Sequence, residues 1–445
     1  MSTACSVSIP AAEVPVSGTY DVVVCGGGPA GIAAAVAAAR HGVRTLLVEQ
    51  LAYLGGMACG GFVPGWCDTQ VGPIAAELED RLIALGCAER TYDPEHHLCS
   101  IGRLRFEGDM MAAIALQMVR EAGADVLFCT VCEAAWRPTD GSVSGVFVTN
   151  KGGRSLLRAK TVIDATADGD IAASAGAEVM QGDPDDGRMQ HVNYRFRVAG
   201  VDHDRSRHDR PVPEALAAAV AAARREGKLH PPSGVFRPSG ASFPLHASSG
   251  QLVVTGWEID GVDPSDPAEV SRCLCECQLA ALEVLAFCRE HVPGYEHCRI
   301  ERLPSLLGTR ESRRIVGEYI LTGDDVVAGR KFADGIARCC FFVDLHDSPP
   351  GISIPFPMDY KRATMPPPDD WYEIPYRCLI PSGVSGLLVA GRCISCDRPA
   401  QGSMRLQPTC MYLGEAAGIG AGIAVSENRP PEQADGPAVR REIGM

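Results

Sequence analysis

The sequence predicts an α/β fold: a Rossmann-like nucleotide-binding domain interrupted by a smaller α+β unit. Three observations predict it. Residues 20–61 read strand, glycine turn, helix, strand and a second glycine pair. A β-meander at 125–149 feeds a hydrophobic strand at 159–167, which turns at once into a helix. A buried strand at 387–395 precedes a glycine- and alanine-rich helix at 408–425.

The first stretch sets the frame. Residues 20–25 (YDVVVC) form the short β-branched run of a buried parallel strand. Gly26, Gly28 and Gly31 then supply G-x-G-x-x-G. The first glycine allows the tight turn, the second lets backbone approach a pyrophosphate, and the third lets helix pack on strand. Residues 32–40 (IAAAVAAAR) follow as a helix of small side chains, whose N-terminus offers N–H groups and a positive dipole end to phosphate. Residues 44–49 (RTLLVE) return as a strand ending at Glu49, 18 residues beyond Gly31, near the spacing at which an acidic residue bonds a ribose. A second glycine loop, Gly55 and Gly56, comes where an NAD domain usually continues into another helix.

Helical spacing runs through Ile74, Leu78, Leu82 and Leu85 within 65–90, closed by Gly86. Residues 91–105 are polar and loop-like, and 107–121 form another helix. Strands follow at 125–128, 130–136 and 143–149, then 159–167 and a helix at 171–175. Strands at 191–201 and 251–257, with helices at 212–226 and 267–291, form a separate sheet and its cover. Proline breaks at Pro231, Pro232, Pro264 and Pro267 punctuate it. The expected borders are a tail at 1–18, a nucleotide-binding domain at 19–185 and 301–426, an inserted substrate domain at 186–300, and a second tail at 427–445.

Three stretches carry residues suited to chemistry. In 308–327, Thr309 caps a predicted helix on which Arg310, Arg313 and Arg314 share a face. They either pair with Glu311 and Glu318, or one of them points into the cleft and holds a carboxylate or orders a cofactor loop. In 341–346 (FFVDLH), Asp344 and His346 fall two apart on a predicted strand, hence on one face. A histidine beside a redox cofactor can move a proton during two-electron transfer; it can equally be an ordinary polar contact. The helix at 408–425 either turns its positive end to the cofactor or simply packs on the sheet.

The run GGGPAGIAAAVAAARHGVRTLLVEQ and the glycine pair after it resemble the N-terminal signature of glutathione-reductase-like flavoproteins. With GTRESRRIVGEY, DLH, IPYRCLIP, LLVAGRCIS and GSMRLQPTCMYLGEAAG, the chain resembles the bacterial FAD-dependent oxidoreductases. These are distantly similar to fumarate reductase and succinate dehydrogenase flavoproteins. The resemblance spans 20–425 apart from the insertion. It implies a glutathione-reductase-type FAD domain, FAD as cofactor, and two-electron chemistry on a small organic substrate. Implied cofactor contacts are Gly26, Gly28, Gly31, Glu49, Gly56, Gly391, Arg392 and Gly414. Pro29, Ala30, Gln50, Gly55, Met57, Cys132, Ala165 and Asp168 complete the expected set. His346, Arg310 and Arg405 are the implied active-site residues. Two positions depart from the pattern: Ala167 stands where glycine is commoner, and Arg398 lies near the place of a frequent histidine.

Composition bounds the rest. Lys and Arg number 41 against 55 Asp and Glu, a net −14, which disfavours nucleic acid as a partner. No charged-then-apolar leader and no membrane-length apolar run is visible, so a cytoplasmic protein with reduced thiols is expected. The 19 cysteines include Cys273, Cys275 and Cys277, which lack the spacing of a complete metal site; no metal is expected. Cys393 and Cys396 form C-x-x-C, read as structural thiols or a redox dithiol. A flavin monooxygenase and an FAD-containing electron-transfer subunit stand as alternative functions. The electron acceptor or donor is left open, and a homo-oligomer is allowed.

Overall fold

A computed structural model describes residues 13–67, 70–90, 104–208, 213–230, 234–236, 251–346 and 358–445. β1 (Val16–Cys25) is buried through its last four residues. Pro29 then opens α1 (Pro29–Arg40), where its fixed φ suits the first turn and its missing N–H is no loss. β2 (Thr45–Val48) returns beside β1 in parallel. The helices Pro73–Ala84 and Gly108–Glu121 lead to the strand Asp125–Leu127, which pairs with β2 in parallel. The strands Val131–Trp136 and Gly145–Asn150 make the expected antiparallel meander into β3 (Gly153–Asp164).

β3 pairs with β1 in parallel from Leu156 to Asp164. On its other edge the first half takes Gly145–Asn150 and the last three residues take the late strand. The insertion supplies β4 (Val192–Ala199) and β5 (Gln251–Ile259). With Gly234–Phe236 and Arg299–Arg302 they form a four-stranded antiparallel sheet. β4 alternates cleanly: Val192, Tyr194, Phe196 and Val198 enter a separate core with Cys273, Cys277, Val284 and Phe287 of the helix Pro267–His291. Cys275, between those two thiols, is exposed, as helical spacing requires.

The chain returns through β6 (Leu387–Val389), parallel to β3, and α2 (Gln407–Ser426). α2 lies on α1 at backbone contact distance. A Cβ on Gly414 would fall 1.9 Å from the Ala30 carbonyl oxygen, and one on Gly418 would fall 2.4 Å from that of Ala34. Two alanine- and glycine-rich helices can therefore nest where larger residues would hold them apart. Among the described residues no helix is long and apolar enough to cross a membrane.

Several expectations need correcting. β1 begins at Val16, inside the expected tail, because its ladder to β3 already starts there and Leu156 N–H donates to Pro15 O at 2.8 Å. Residues 427–445 are not a tail either. They end in the helix Gly436–Glu442, with Val439 and Ile443, four apart, buried on the core, and Arg440 paired with Glu373 at 2.9 Å. The helix expected around Arg310 is absent. Arg313–Ile315 is a strand paired with Val179–Gln181, and the helix there, Gly323–Val327, is capped by Thr322. Residues 341–345 are irregular rather than a strand, β6 stops at Val389, and Leu85 is exposed. Most of the expected loop 91–105, with Pro231 and Pro232, lies outside the described residues; Leu104–Phe106 is a short strand.

Candidate active site

The strand ends build the first half of the site. Leu127, Val48, Cys25, Asp164 and Val389 stand in register along the carboxyl edge of the sheet. Each following turn docks on its neighbour: Gly26 N–H donates to Val48 O at 2.8 Å, Ala165 N–H to Cys25 O at 2.9 Å and Ala390 N–H to Asp164 O at 2.9 Å. From β1 the crossover runs to β2 on one side while β3 lies on the other. In open α/β sheets ligands bind outside the carboxyl ends at such a reversal.

The three glycines divide by what surrounds them. Gly26 has φ +103°, and a Cβ there would lie 2.5 Å from Ala165 O. A Cβ on Gly31 would lie 1.8 Å from Gly26 O. Gly28 faces open space, with nothing within 4 Å of a Cβ. α1 starts beside it with no side-chain cap and no acidic residue in its first turn. Open space, uncapped N–H groups and a positive helix end fit a dinucleotide's phosphates. The second loop folds over the first: Gly55 N–H donates to Gly27 O at 2.8 Å, Gly56 approaches the Gly28 Cα, and Met57 follows in the same turn.

Around this edge the other expected cofactor residues are distributed unevenly. Glu49 accepts from Gly27 N–H at 2.6 Å and Leu51 N–H at 2.7 Å. Burial raises its pKa against those amides. Gln50 follows at the end of β2. Ala165 and Asp168 belong to the turn after β3, and Gly391 (φ +105°) and Arg392 to the turn after β6. Asp168 accepts from Arg392 at 2.6 Å and from the Ser312 hydroxyl. Cys132 lies in the strand Val131–Trp136 as a free thiol, close enough to the buried Cys25 thiol to raise its pKa. Gly414 sits against Ala30 in the helix contact already described. Ala167, the departure noted above, takes φ +74°, a left-handed conformation in which glycine is unstrained.

The second half is a line of charged side chains. His346 Nδ1 lies 3.1 Å from Glu258 Oε1, and its Nε2 lies 3.2 Å from Asp344 Oδ2. Arg310 donates to Glu258 at 3.1 Å and to His191 O at 2.5 Å. Arg405 donates to Asp344 Oδ2 at 2.9 Å. The three residues expected in the active site thus meet through two carboxylates. Burial would raise Asp344, but His346, Arg405 and Arg310 together outweigh it and hold the group at about 2. Burial pulls Arg310 down to about 10, with Glu258 opposing and Arg405 adding to the fall.

Sequence reasoning missed Glu258. It comes from β5, and only its charge within an apolar strand marks it. The remaining arginines have structural partners. Glu311, fully buried, accepts from Arg314 at 2.6 Å, from Arg398 at 3.1 Å and from Gln190 N–H at 3.0 Å. Arg398 also reaches Asp183 at 3.2 Å. Arg313 pairs with Asp170 at 2.5 Å. Cys393 and Cys396 are fully buried, and burial pushes the Cys396 thiol to about 12 and Cys393 well above its ordinary value. A dithiol so protonated is a poor redox nucleophile.

The family model described as FAD dependent oxidoreductase matches residues 21–443. A thiamine thiazole synthase of Aeropyrum pernix is 33% identical over 159 residues, 33% of this chain and 54% of that protein. The chain thus spans about half the length of that curated relative. An uncharacterized protein in the nifH2 5′ region of Methanosarcina barkeri is 30% identical over 169 residues, 35% of this chain and 87% of the other. A geranylgeranyl bacteriochlorophyll reductase-like protein from Thermoplasma acidophilum aligns in structure with a TM-score of 0.46 and 15% identity, over 96% of this chain and 82% of that one.

Proposed function

The chain belongs to the FAD dependent oxidoreductase family and is an enzyme with FAD as cofactor; from that premise we propose a two-electron (hydride) oxidation or reduction of a small organic substrate, with His346 as acid–base group. FAD, when bound, supplies the electron chemistry. The observation that carries the reading is the unbroken line Arg310, Glu258, His346, Asp344, Arg405.

Its logic is one of donors and acceptors. An ionised carboxylate only accepts, so a ring whose two nitrogens both face carboxylates satisfies both contacts when each nitrogen bears a proton. His346 in that state releases a proton to a substrate being reduced, and takes one back when the substrate is oxidised. Asp344 and Glu258 orient the ring. Arg405 pairs with Asp344 and helps hold it ionised, Arg310 pairs with Glu258, and both are cations close to His346 that can face the flavin edge. Glu258 comes from the inserted sheet and His346 from the returning segment, which supports reading 186–300 as a substrate domain set against a glutathione-reductase-type FAD domain at 19–185 and 301–426. Gly26, Gly28, Pro29, Ala30, Gly31, Glu49, Gln50, Gly55, Gly56, Met57, Ala165, Asp168, Gly391 and Arg392 are the proposed cofactor residues.

Anaerobic mixing of the FAD-loaded protein with panels of small metabolites tests the reading. Loss of visible flavin absorbance with one chemical class supports it. Reduction by a protein partner alone identifies an electron-transfer subunit instead, and substrate hydroxylation needing oxygen and an external reductant identifies a monooxygenase.

A further inference from the structure

β4 turns two arginines toward the FAD-binding part of the chain, and they differ in how they are satisfied. Arg197 reaches Asp109 at 3.1 Å and Glu301 at 2.6 Å. Arg195 has a single hydrogen bond among the described residues, from Nη1 to Phe62 O at 3.3 Å. The Nε of each is buried without a hydrogen-bond partner, but no carboxylate of the described residues forms an ion pair with Arg195. Arg195 lies two residues from Asn193 on the same face of β4, and Asn193 stands in register with Glu258, the carboxylate that contacts His346 and Arg310.

A count of charge follows. The two carboxylates at His346, Glu258 and Asp344, have three guanidinium groups near them, on Arg310, Arg405 and, one register position along β4, Arg195. Arg310 and Arg405 take one carboxylate each. Of the three guanidinium groups, Arg195 is the one without a carboxylate among the described residues. Burial lowers its pKa, with Glu258 the opposing charge. Arg195 is partly buried, and a guanidinium in that setting is stabilised by an anion; its planar fork matches a carboxylate through two parallel bonds. Phe62, whose carbonyl holds Arg195, has φ +51°, so the contact is made by backbone fixed in a left-handed turn.

We propose that Arg195 anchors the substrate and that the substrate bears a carboxylate, gripped by this guanidinium beside His346. The proposal rests on the reading of the His346 line as the active site, and it adds the substrate class and a residue from the inserted sheet to that reading. Substrates without an anionic group leave Arg195 uncompensated and bind poorly.

Binding rather than turnover tests it, so the result is independent of whether His346 moves a proton. FAD-loaded protein is titrated with acetate at constant ionic strength, with acetamide as the uncharged counterpart, and the flavin difference spectrum is followed. Acetate produces a saturable perturbation and acetamide does not. Arg195→Gln weakens acetate by roughly 10- to 100-fold, the size of a lost hydrogen-bonded charge contact. Arg195→Lys keeps the charge, loses the fork and falls between the two. FAD content of both variants matches the parent; should Arg195→Gln fold poorly, the Lys variant carries the comparison. An acetate response absent from the parent protein, matched by acetamide, or unchanged in both variants overturns the proposal.

Discussion

His346 Nδ1 lies 3.1 Å from Glu258 Oε1, joining residues 88 apart in the chain and drawn from two different sheets' surroundings. The same carboxylate oxygen accepts from Arg310, so one group orients the ring and neutralises a buried guanidinium. Glu258→Gln keeps the shape and removes the charge. It lowers kcat by roughly 10- to 100-fold, the value of one hydrogen bond to a charged group. It also shifts the pH profile and costs about 3 kcal/mol of stability by leaving Arg310 unpaired. Steady-state kinetics across pH and denaturant melts check this; an unmoved pH profile removes Glu258 from the proton-handling group.

The glycines of the first turn separate fold from cofactor. Gly31→Ala drives a Cβ to 1.8 Å from Gly26 O and disrupts the turn itself. Gly28→Ala meets nothing within 4 Å, and its φ of −71° suits alanine. The apoprotein of Gly28→Ala therefore melts as the parent does while its FAD affinity drops at least about tenfold, because the new methyl occupies the path of approach to the phosphate. Equal FAD affinity in that variant contradicts the assigned cradle.

Ala167 holds φ +74°. The left-handed conformation costs an L-residue about 1–2 kcal/mol, and glycine returns part of that through its looser unfolded chain. Ala167→Gly stabilises by up to about 1 kcal/mol, read as a rise in the chemical midpoint of unfolding at unchanged slope.

Local pattern made the crossover legible. A buried run, a glycine turn and a small-residue helix are adjacent in sequence, and the structure keeps each near its expected place. Contacts across the chain were not legible. Arg310, Arg313 and Arg314 have helical spacing, yet pairing with residues 179–181 pulls Arg313 and Arg314 into a strand. Proline and glutamate gave 427–445 the composition of a tail, whereas Val439 and Ile443 were enough to dock a helix. His346, Arg310 and Arg405 were singled out through family motifs. Glu258 and Arg195 lie in the insertion, where only strand alternation hints at which side they face.

Glu415 on α2 gives a pH signature. It accepts from Ile74 N–H at 3.1 Å, and burial raises it to about 7, with that N–H and Arg40 opposing and Glu77 adding to the rise. Unfolded, it titrates near 4.5. Between those values the folded chain holds a proton that the unfolded chain has lost. Stability from this group is therefore complete below about pH 4.5 and declines as pH rises toward 7. Glu415→Gln keeps an acceptor for Ile74 and removes the titration. Its stability relative to the parent grows across that window, by at most about 3 kcal/mol at pH 8. A parent-to-variant difference flat from pH 4 to 8 contradicts the assignment.

The most direct test of the acid–base centre is anaerobic stopped-flow reduction of the His346→Ala protein with a substrate that bleaches the parent. The account predicts flavin reduction slowed by about 10²-fold or more, with FAD content unchanged and acetate still bound at Arg195. Reduction at the parent's rate contradicts it.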